Sequence, residues 1–266
     1  MNERDRRADQ VEERTTPVTP VIYETVRRLG ASEMERPAVS LWWSGVAAGL
    51  SISFSLLAQG ILARYLPDAP WRELVVALGY PVGFVMVVLA RQQLFTENTI
   101  TVVLPVMAEP SWRKVGEAAR MWAIVLAANL AGTLAAAVFI AYTPAVPPDL
   151  LDSMLRVARH ALDHGWLEMG FLAVTSGYLM AAMVWLIPAA GAAQFQVIVL
   201  MTYVIGVGGF THIVAGSVES FLLMVTGAMT LGEVLGRFLA PVLAGNIVGG
   251  TALFALISYA QVMKEM

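Results

Sequence analysis

A polar, glycine-rich segment at 208–216 interrupts an apolar stretch that runs from about 195 to 225. A transmembrane helix needs about 20 apolar residues, so this stretch is too long for one simple span. Non-helical backbone inside a membrane is tolerated only where protein buries it or where it lines a watery cavity. The stretch therefore predicts two half-helices joined at about 207–212. His212, an ionisable residue at that junction, is a candidate functional residue.

A second overlong apolar stretch, from about 74 to 107, is interrupted by polar residues and predicts a break at 92–98. The two breaks are followed by similar sequence. Asn129 follows Phe95-Thr96, Asn246 follows Phe210-Thr211 at nearly the same spacing, and a glycine comes three residues after each asparagine. Broken spans in corresponding halves indicate an inverted repeat with a pathway between the halves. The predicted fold is all-α, with six transmembrane helices in two inverted three-helix repeats and with helices 2 and 5 broken.

The composition places this fold in a membrane. The 266 residues are 58% hydrophobic and 14% charged, with a mean hydropathy of +0.67, whereas soluble domains are about 25% charged. The chain has no cysteine, which excludes disulfides and thiolate metal sites. Its three histidines are too few and too scattered to indicate a zinc site. We expect no metal, no cofactor and no nucleic-acid partner.

The distribution of basic residues predicts the orientation. Residues 1–38 are polar and form an N-terminal tail, in which 21–29 has helical spacing that could lie on the membrane, on the protein or in solvent. The membrane domain covers 39–263, with a loop at 108–119 and a polar connection at 143–165, and residues 264–266 end the chain. The side that holds both termini carries eleven lysines and arginines, against five on the other side. The positive-inside rule therefore places both termini in the cytoplasm.

Several short motifs resemble the formate/nitrite transporter family. They are Leu94-Phe95-Thr96, Gly209-Phe210-x-His212 with Ala215, Asn129 with Gly132, and Gly245-Asn246-Ile247-Val248-Gly249-Gly250. The resemblance covers about 40–259. It implies an aquaporin-like pentamer in the inner membrane, with a pore in each subunit that transports small monovalent anions of weak acids. It also implies that the protein is not an enzyme and that its partners are small anions, protons and lipid.

The resemblance assigns roles to individual residues. His212 would be the central histidine that handles the proton of the weak acid, with Thr96 and Asn246 as its hydrogen-bond partners. Hydrophobic constrictions would lie on either side of it, at Phe84 and Ile205 on the outer side and at Leu94 and Phe95 on the inner side. A protonated acid crosses such constrictions without the cost of a bare charge.

Two of the chain's departures from the family pattern involve basic residues. Arg91-Gln92-Gln93 precedes the Leu-Phe-Thr motif, and His160 stands roughly where the family has an anion-attracting lysine. Arg91 could bond the open carbonyls at a helix end, attract anions in the pore, or pair with Glu97. Glu97 is predicted to act as a loop scaffold that accepts backbone N–H groups. His212 itself could be a neutral structural histidine.

Three other functions compete with anion transport. A neutral-solute pore is disfavoured, because the two Asn-Pro-Ala motifs that mark aquaporins are absent. An intramembrane hydrolase using Ser217 or Ser220 with His212 lacks a Gly-x-Ser-x-Gly or His-Glu-x-x-His motif. A non-transporting protein remains an alternative, because the residues at 91–93 could close the pore.

Overall fold

A computed structural model describes residues 17–265, and every regular element in that range is helical. The α-helices are α1 (Thr19–Met34), α2 (Ala38–Tyr65), α3 (Arg72–Val76), α4 (Pro81–Leu89), α5 (Phe95–Thr101), α6 (Val103–Ala108), α7 (Trp112–Tyr142), α8 (Pro148–Ala161), α9 (Trp166–Ala190), α10 (Gln194–Val207), α11 (Ala215–Val225), α12 (Leu231–Glu233), α13 (Ala240–Ile247) and α14 (Leu256–Val262).

Five helical stretches are long and apolar enough to cross a membrane: Ala38–Tyr65, Arg72–Leu89, Trp112–Tyr142, Trp166–Val207 and Leu231–Val262. The fourth is divided at Gly191, whose φ of 50° ends α9. The Thr211 hydroxyl, just beyond the end of α10, donates to the Met169 carbonyl near the start of α9 at 2.7 Å. The two helices therefore lie side by side and run in opposite directions.

The chain leaves the helical conformation in both overlong stretches. The first non-helical segment is 90–94, between α4 and α5, and the second is 208–214, between α10 and α11. The predicted position 92–98 was too far along the chain, because the helix already resumes at Phe95. The predicted second break, 207–212, ends two residues before the observed non-helical segment, which ends at 214. Arg91 and Gly209, with φ values of 51° and 62°, turn the backbone within the two segments.

The N-terminal segment packs on the protein. Helix α1 exceeds the predicted 21–29 at both ends, and Tyr23 and Val26 on it are each 1% exposed. It contacts α5, α6 and α9, so the structure shows the expected position on the protein. The earlier part of the tail, 1–16, lies outside the described residues.

Two connections contain more helix than the sequence indicated. Helix α7 begins at Trp112, inside the loop expected at 108–119, because the Ser111 side chain caps it by accepting the Lys114 N–H at 3.2 Å. The polar connection at 143–165 contains α8, whose Leu150, Met154 and Ala158 are buried. Helix α8 packs against α2 and α11 and so covers one end of the bundle.

The main apolar core surrounds the two non-helical segments. Its fully buried members come from both halves of the chain and include Ile52, Phe84, Leu94, Val125, Ile198, Ile205 and Val214. The backbone that leaves the helical conformation is therefore held within packed protein, which is the condition under which such backbone survives in a membrane.

Candidate functional site

Thr96 and His212 meet at the centre of the protein. They are 116 positions apart in the chain, and Thr96 Oγ1 lies 2.8 Å from His212 Nε2. Thr96 is the second residue of α5, and His212 precedes α11 by three residues. Both are buried, at 0% and 1% exposure. The pair joins the first break to the second.

Backbone hydrogen bonds determine which histidine nitrogen carries the proton. His212 Nδ1 accepts the N–H groups of Val214 at 3.3 Å and Ala215 at 3.1 Å. Because Nδ1 is an acceptor, the proton of the neutral ring is assigned to Nε2, which donates to Thr96 Oγ1. The Thr96 hydroxyl hydrogen is then not used in its contact with His212, and the ring caps the first turn of α11.

Two asparagines hold the two breaks in the same way. Asn129 accepts the Phe95 N–H at 2.9 Å and donates to the carbonyls of Gly45 and Gln93, both at 2.8 Å. Each of these contacts satisfies a backbone group that the broken helix leaves open. One buried side chain on α7 therefore ties the first break to α2.

Asn246 does the same at the second break. It accepts the Ile213 N–H at 2.9 Å and donates to the Ala173 carbonyl at 2.8 Å and the Thr211 carbonyl at 3.3 Å. It also donates to Ser176 Oγ at 2.8 Å. Its described hydrogen bonds do not include the His212 ring, in contrast to the predicted contact. Asn246 holds the backbone beside the histidine.

Apolar side chains flank the Thr96–His212 pair. The Phe84 ring packs edge-on against the His212 ring, with 5.1 Å between the ring centres and an angle of 83°. Ile205 is fully buried and lines a cavity with His212. Leu94 and Phe95 are buried immediately before Thr96, and the Phe95 ring packs against Trp122. Of the four residues predicted to form constrictions, Phe84 and Ile205 thus lie near His212 in space, and Leu94 and Phe95 directly precede Thr96 in the chain.

A cavity of about 60 Å³ adjoins His212. We call it the Glu219 cavity, because Glu219 is the one acidic residue in its wall within the described part of the chain. The wall also includes Gln59, Tyr80, Ile205 and Thr211. A buried water needs at least 10–15 Å³ measured in this way. The space therefore suits a few waters or one ion of three or four heavy atoms.

A second cavity, of about 220 Å³, shares Gln59 and Gly209 with the first. We call it the Arg72 cavity. Arg156 and His160 of α8 stand in its wall with Arg72, so the residue predicted to attract anions lies in a basic setting. The two cavities adjoin, and the wall of the second also contains Glu73, which pairs with Arg72 at 3.1 Å.

A third cavity, of about 280 Å³, lies beneath α1 on the side of the first break. We call it the α1 cavity. Arg91 and Glu97 line it, but within residues 17–265 the Arg91 side chain makes no hydrogen bond, neither to helix-end carbonyls nor to Glu97. In the same range Glu97 Oε1 is buried without a partner, so the expected backbone contacts are not formed there. Glu33 of α1 reaches this cavity and accepts from Gln93 Nε2 at 2.5 Å.

Comparisons with known proteins agree with this geometry. The family model "Formate/nitrite transporter" matches residues 20–260. The chain belongs to this family. It is 44% identical to the Inner membrane protein YfdC of Escherichia coli over 264 residues, which cover 99% of this chain and 85% of YfdC. The Uncharacterized transporter YrhG of Bacillus subtilis is 28% identical, over 92% of this chain and 93% of YrhG.

A solved structure shows the same fold. The chain superposes on a pentameric formate channel with formate bound at a TM-score of 0.74 and 22% identity, covering 85% of this chain and 98% of that one. This formate/nitrite transporter family member is accordingly an all-helical membrane protein of the family's channel and transporter class. Members of this class are transporters and not enzymes.

Sequence reasoning about this family member missed Glu219 and Gln59. Both are polar residues inside apolar stretches, and both are at least nine-tenths buried in the wall of the Glu219 cavity. The rule that brought attention to His212, that an ionisable residue at membrane depth is a functional candidate, applies equally to Glu219. Applying it to every polar residue in the apolar stretches would have found the glutamate.

The two serines of the hydrolase alternative are engaged elsewhere. Ser217 Oγ lies 2.8 Å from Thr133 Oγ1 and 2.6 Å from the Val214 carbonyl, and Ser220 Oγ donates to the Ser217 carbonyl at 3.1 Å. His212 has its own partners in Thr96 and the start of α11. Within residues 17–265, neither serine is hydrogen-bonded to His212 as a hydrolase would need.

Proposed function

We propose that this protein conducts small monovalent anions of weak acids, similar to formate and nitrite, through a pore inside each subunit. The carrying observation is the buried Thr96–His212 pair, whose histidine lines a cavity large enough for one small ion. The basic groups of the Arg72 cavity would collect anions at its outer end. Family membership supports the same substrate class.

The proposed architecture has six spans in two inverted three-helix repeats, with an aquaporin-like shape. The asparagine contacts support it, because Asn129 binds α2 and the first break while Asn246 binds α9 and the second break. The channel domain would cover 39–263, and residues 1–38 and 264–266 would lie in the cytoplasm. The α1 cavity would then face the cytoplasm and the Arg72 cavity the opposite side of the inner membrane.

We further propose that the subunits form a pentamer, as the solved formate channel does. The site itself needs no neighbouring subunit, because both members of the Thr96–His212 pair come from one chain. Each subunit would therefore carry its own pore, and Phe84, Ile205, Leu94 and Phe95 would form the apolar constrictions that exclude a hydrated charge.

The role of His212 in proton handling stays a prediction. A second proton on the ring would have to sit on Nδ1, where it would displace two backbone N–H donors. The hydrogen bonds therefore favour a neutral ring that donates through Nε2 to Thr96. In this role the histidine orients the hydroxyl that would bind the anion.

The test is anion flux into liposomes that contain the purified protein. Wild type should carry formate and nitrite and should exclude larger anions. His212→Asn keeps a capping oxygen and a donor but removes the titratable ring, so the fold should persist. If the ring takes up protons, formate flux in the variant should fall or lose its dependence on pH between about 5 and 8.

Other results would assign other roles. If pH dependence is unchanged while flux falls, the ring acts as a fixed donor. If flux and pH response are both unchanged for every anion, His212 is structural. A wild type that carries no anion but carries neutral solutes, or nothing, would favour the alternatives of a neutral-solute pore or a non-transporting protein.

A further inference from the structure

Glu219 is a buried carboxyl group that the proposed function does not yet use. It is 6% exposed, lies on α11, and lines the Glu219 cavity beside His212. Residues 215–223 of α11 are all buried, so the side chain has no route to bulk water except through the cavities. A carboxyl group in this position meets any ion that moves between the Arg72 cavity and the histidine.

Nothing in the described part of the chain neutralises a charge on this group. Within residues 17–265 the Glu219 side chain has no hydrogen bond and no ion pair. A buried carboxylate without partners is costly, and in a membrane such residues mark ion pathways and proton relays. The protonated form has no such cost, and it carries an O–H that can be donated.

Polar and charged groups surround Glu219. Gln59 Oε1 is buried without a partner within the described residues, and Tyr80 and His212 are the other titratable groups in the wall of the Glu219 cavity. Helix α7 presents Thr133, which is bonded to Ser217. The Arg72 cavity contributes Arg72, Glu73, Arg156 and His160. A further cavity of about 400 Å³, which shares Leu162 and Phe238 with the Glu219 cavity, contributes these charged or titratable groups: Arg159, His160, Asp163, Glu233 and Arg237.

We propose that Glu219 donates the proton that accompanies a weak-acid anion through the pore. This inference rests on the proposed function and adds to it the residue that makes transport proton-coupled. The O–H bond of the Glu219 carboxyl breaks as an O–H bond forms on the anion, which leaves a carboxylate and a neutral acid. The acid crosses the apolar constrictions and releases its proton into the inner solution, and the carboxylate regains a proton that arrives from the outer solution through the Arg72 cavity. One proton and one anion cross in each cycle.

This arrangement also explains how a carboxylate can stand in an anion pathway. An ionised Glu219 repels the next anion, and only its protonated form admits one. Entry is thereby coupled to protonation. The basic groups of the Arg72 cavity keep the local anion concentration high while the Glu219 carboxylate regains its proton.

The test compares Glu219→Gln with wild type in liposomes that contain a pH-sensitive dye. Formate is applied outside, and formate uptake and internal acidification are recorded together. Glutamine preserves the shape and a donor but cannot release a proton. We expect both signals to fall at least tenfold, whereas Glu109→Gln, the same change on a side chain that is 69% exposed and lines none of these cavities, should match wild type.

Two more variants keep the test decisive if Glu219→Gln fails to fold. Glu219→Met suits an apolar helix and also removes the proton, so it should lose coupled uptake in the same way. Glu219→Asp keeps a carboxyl group and should retain coupled uptake, which a purely packing role for Glu219 would not produce. Each variant is first checked for an unchanged oligomer by size-exclusion chromatography.

Several outcomes would overturn the proposal. Coupled uptake in Glu219→Gln equal to wild type would mean that the carboxyl group carries no proton for the substrate. Faster formate flux without acidification in that variant would mean that Glu219 is an ionised barrier or a cation site. A wild type that carries no anion at all would sink the proposed function, and the Glu219 proposal with it.

Discussion

The proposed function assigns anion binding to the Thr96 hydroxyl, the hydrogen-bond partner of His212. It accepts the His212 Nε2–H and has its own hydrogen free to donate. Thr96→Val keeps the size of the side chain but removes both functions and leaves a buried ring N–H unpaired, which costs about 1–3 kcal/mol. We expect formate flux into liposomes to fall at least tenfold in this variant.

The matched control for this change is Thr96→Ser, which keeps the hydroxyl and should retain most of the flux. In detergent, Thr96→Val should unfold at a lower temperature than Thr96→Ser, because only valine leaves the His212 ring N–H without a partner. Equal flux in the two variants would show that the hydroxyl does not bind the anion at this position.

The close contact between two helices, α2 and α7, fixes the position of the site. Helices α2 and α7 cross at Gly49 and Gly132, where a Cβ atom built on Gly49 would lie 2.9 Å from Gly132 Cα. That distance leaves no room for a side chain. The contact matters because it sets the depth at which Asn129, on α7 three residues before Gly132, meets the first break.

Gly132→Ala tests this contact. Alanine is favoured over glycine in a helix by about 1 kcal/mol, but here the methyl group forces α2 and α7 apart, at a typical cost of about 1–3 kcal/mol. We expect a lower melting temperature in detergent and weaker anion flux. Gly116→Ala on the same helix, where an added Cβ meets nothing within 4 Å, should be neutral or slightly stabilising.

At the level of the whole molecule, the pore and the assembly are separate questions. The cavities and the Thr96–His212 pair are formed by residues of one chain, so the proposed pentamer does not complete a site. Large apolar side chains such as Trp43, Phe139 and Phe171 are more than half exposed on the single chain. In a membrane these are covered by lipid or by a neighbouring subunit.

The expected assembly is five chains of 28.7 kDa each. Native mass spectrometry of the protein released from mild detergent should show this mass as the main species. The flux per chain should be unchanged when liposomes are prepared at lower protein density, because each subunit has its own pore. A stable monomer that conducts formate would contradict the pentamer and leave the pore intact.

Much of this organisation was readable in the sequence. The overlong apolar stretches predicted both breaks to within a few residues, since helix length against membrane thickness is a local property. His212 and Thr96 were identified as candidates, as was the N-terminal helix. The sequence showed Asn129 and Asn246 only as a repeated spacing after the two breaks. In the structure each asparagine bonds to the backbone of the break that precedes it.

Only the tertiary structure decided which side chains meet. Helix α11 is buried on every side from 215 to 223, so its sequence shows no polar face. Glu219 lines a cavity, whereas Ser217 and Ser220 bond to neighbouring helices and backbone, and the sequence pattern does not distinguish these two situations. The direction of Asn246, towards the backbone beside the histidine and not its ring, was equally hidden. Hydrophobic periodicity reports orientation only where one face of a helix is in water. Inside this protein the packing of distant segments, 116 positions apart for Thr96 and His212, supplied what periodicity could not.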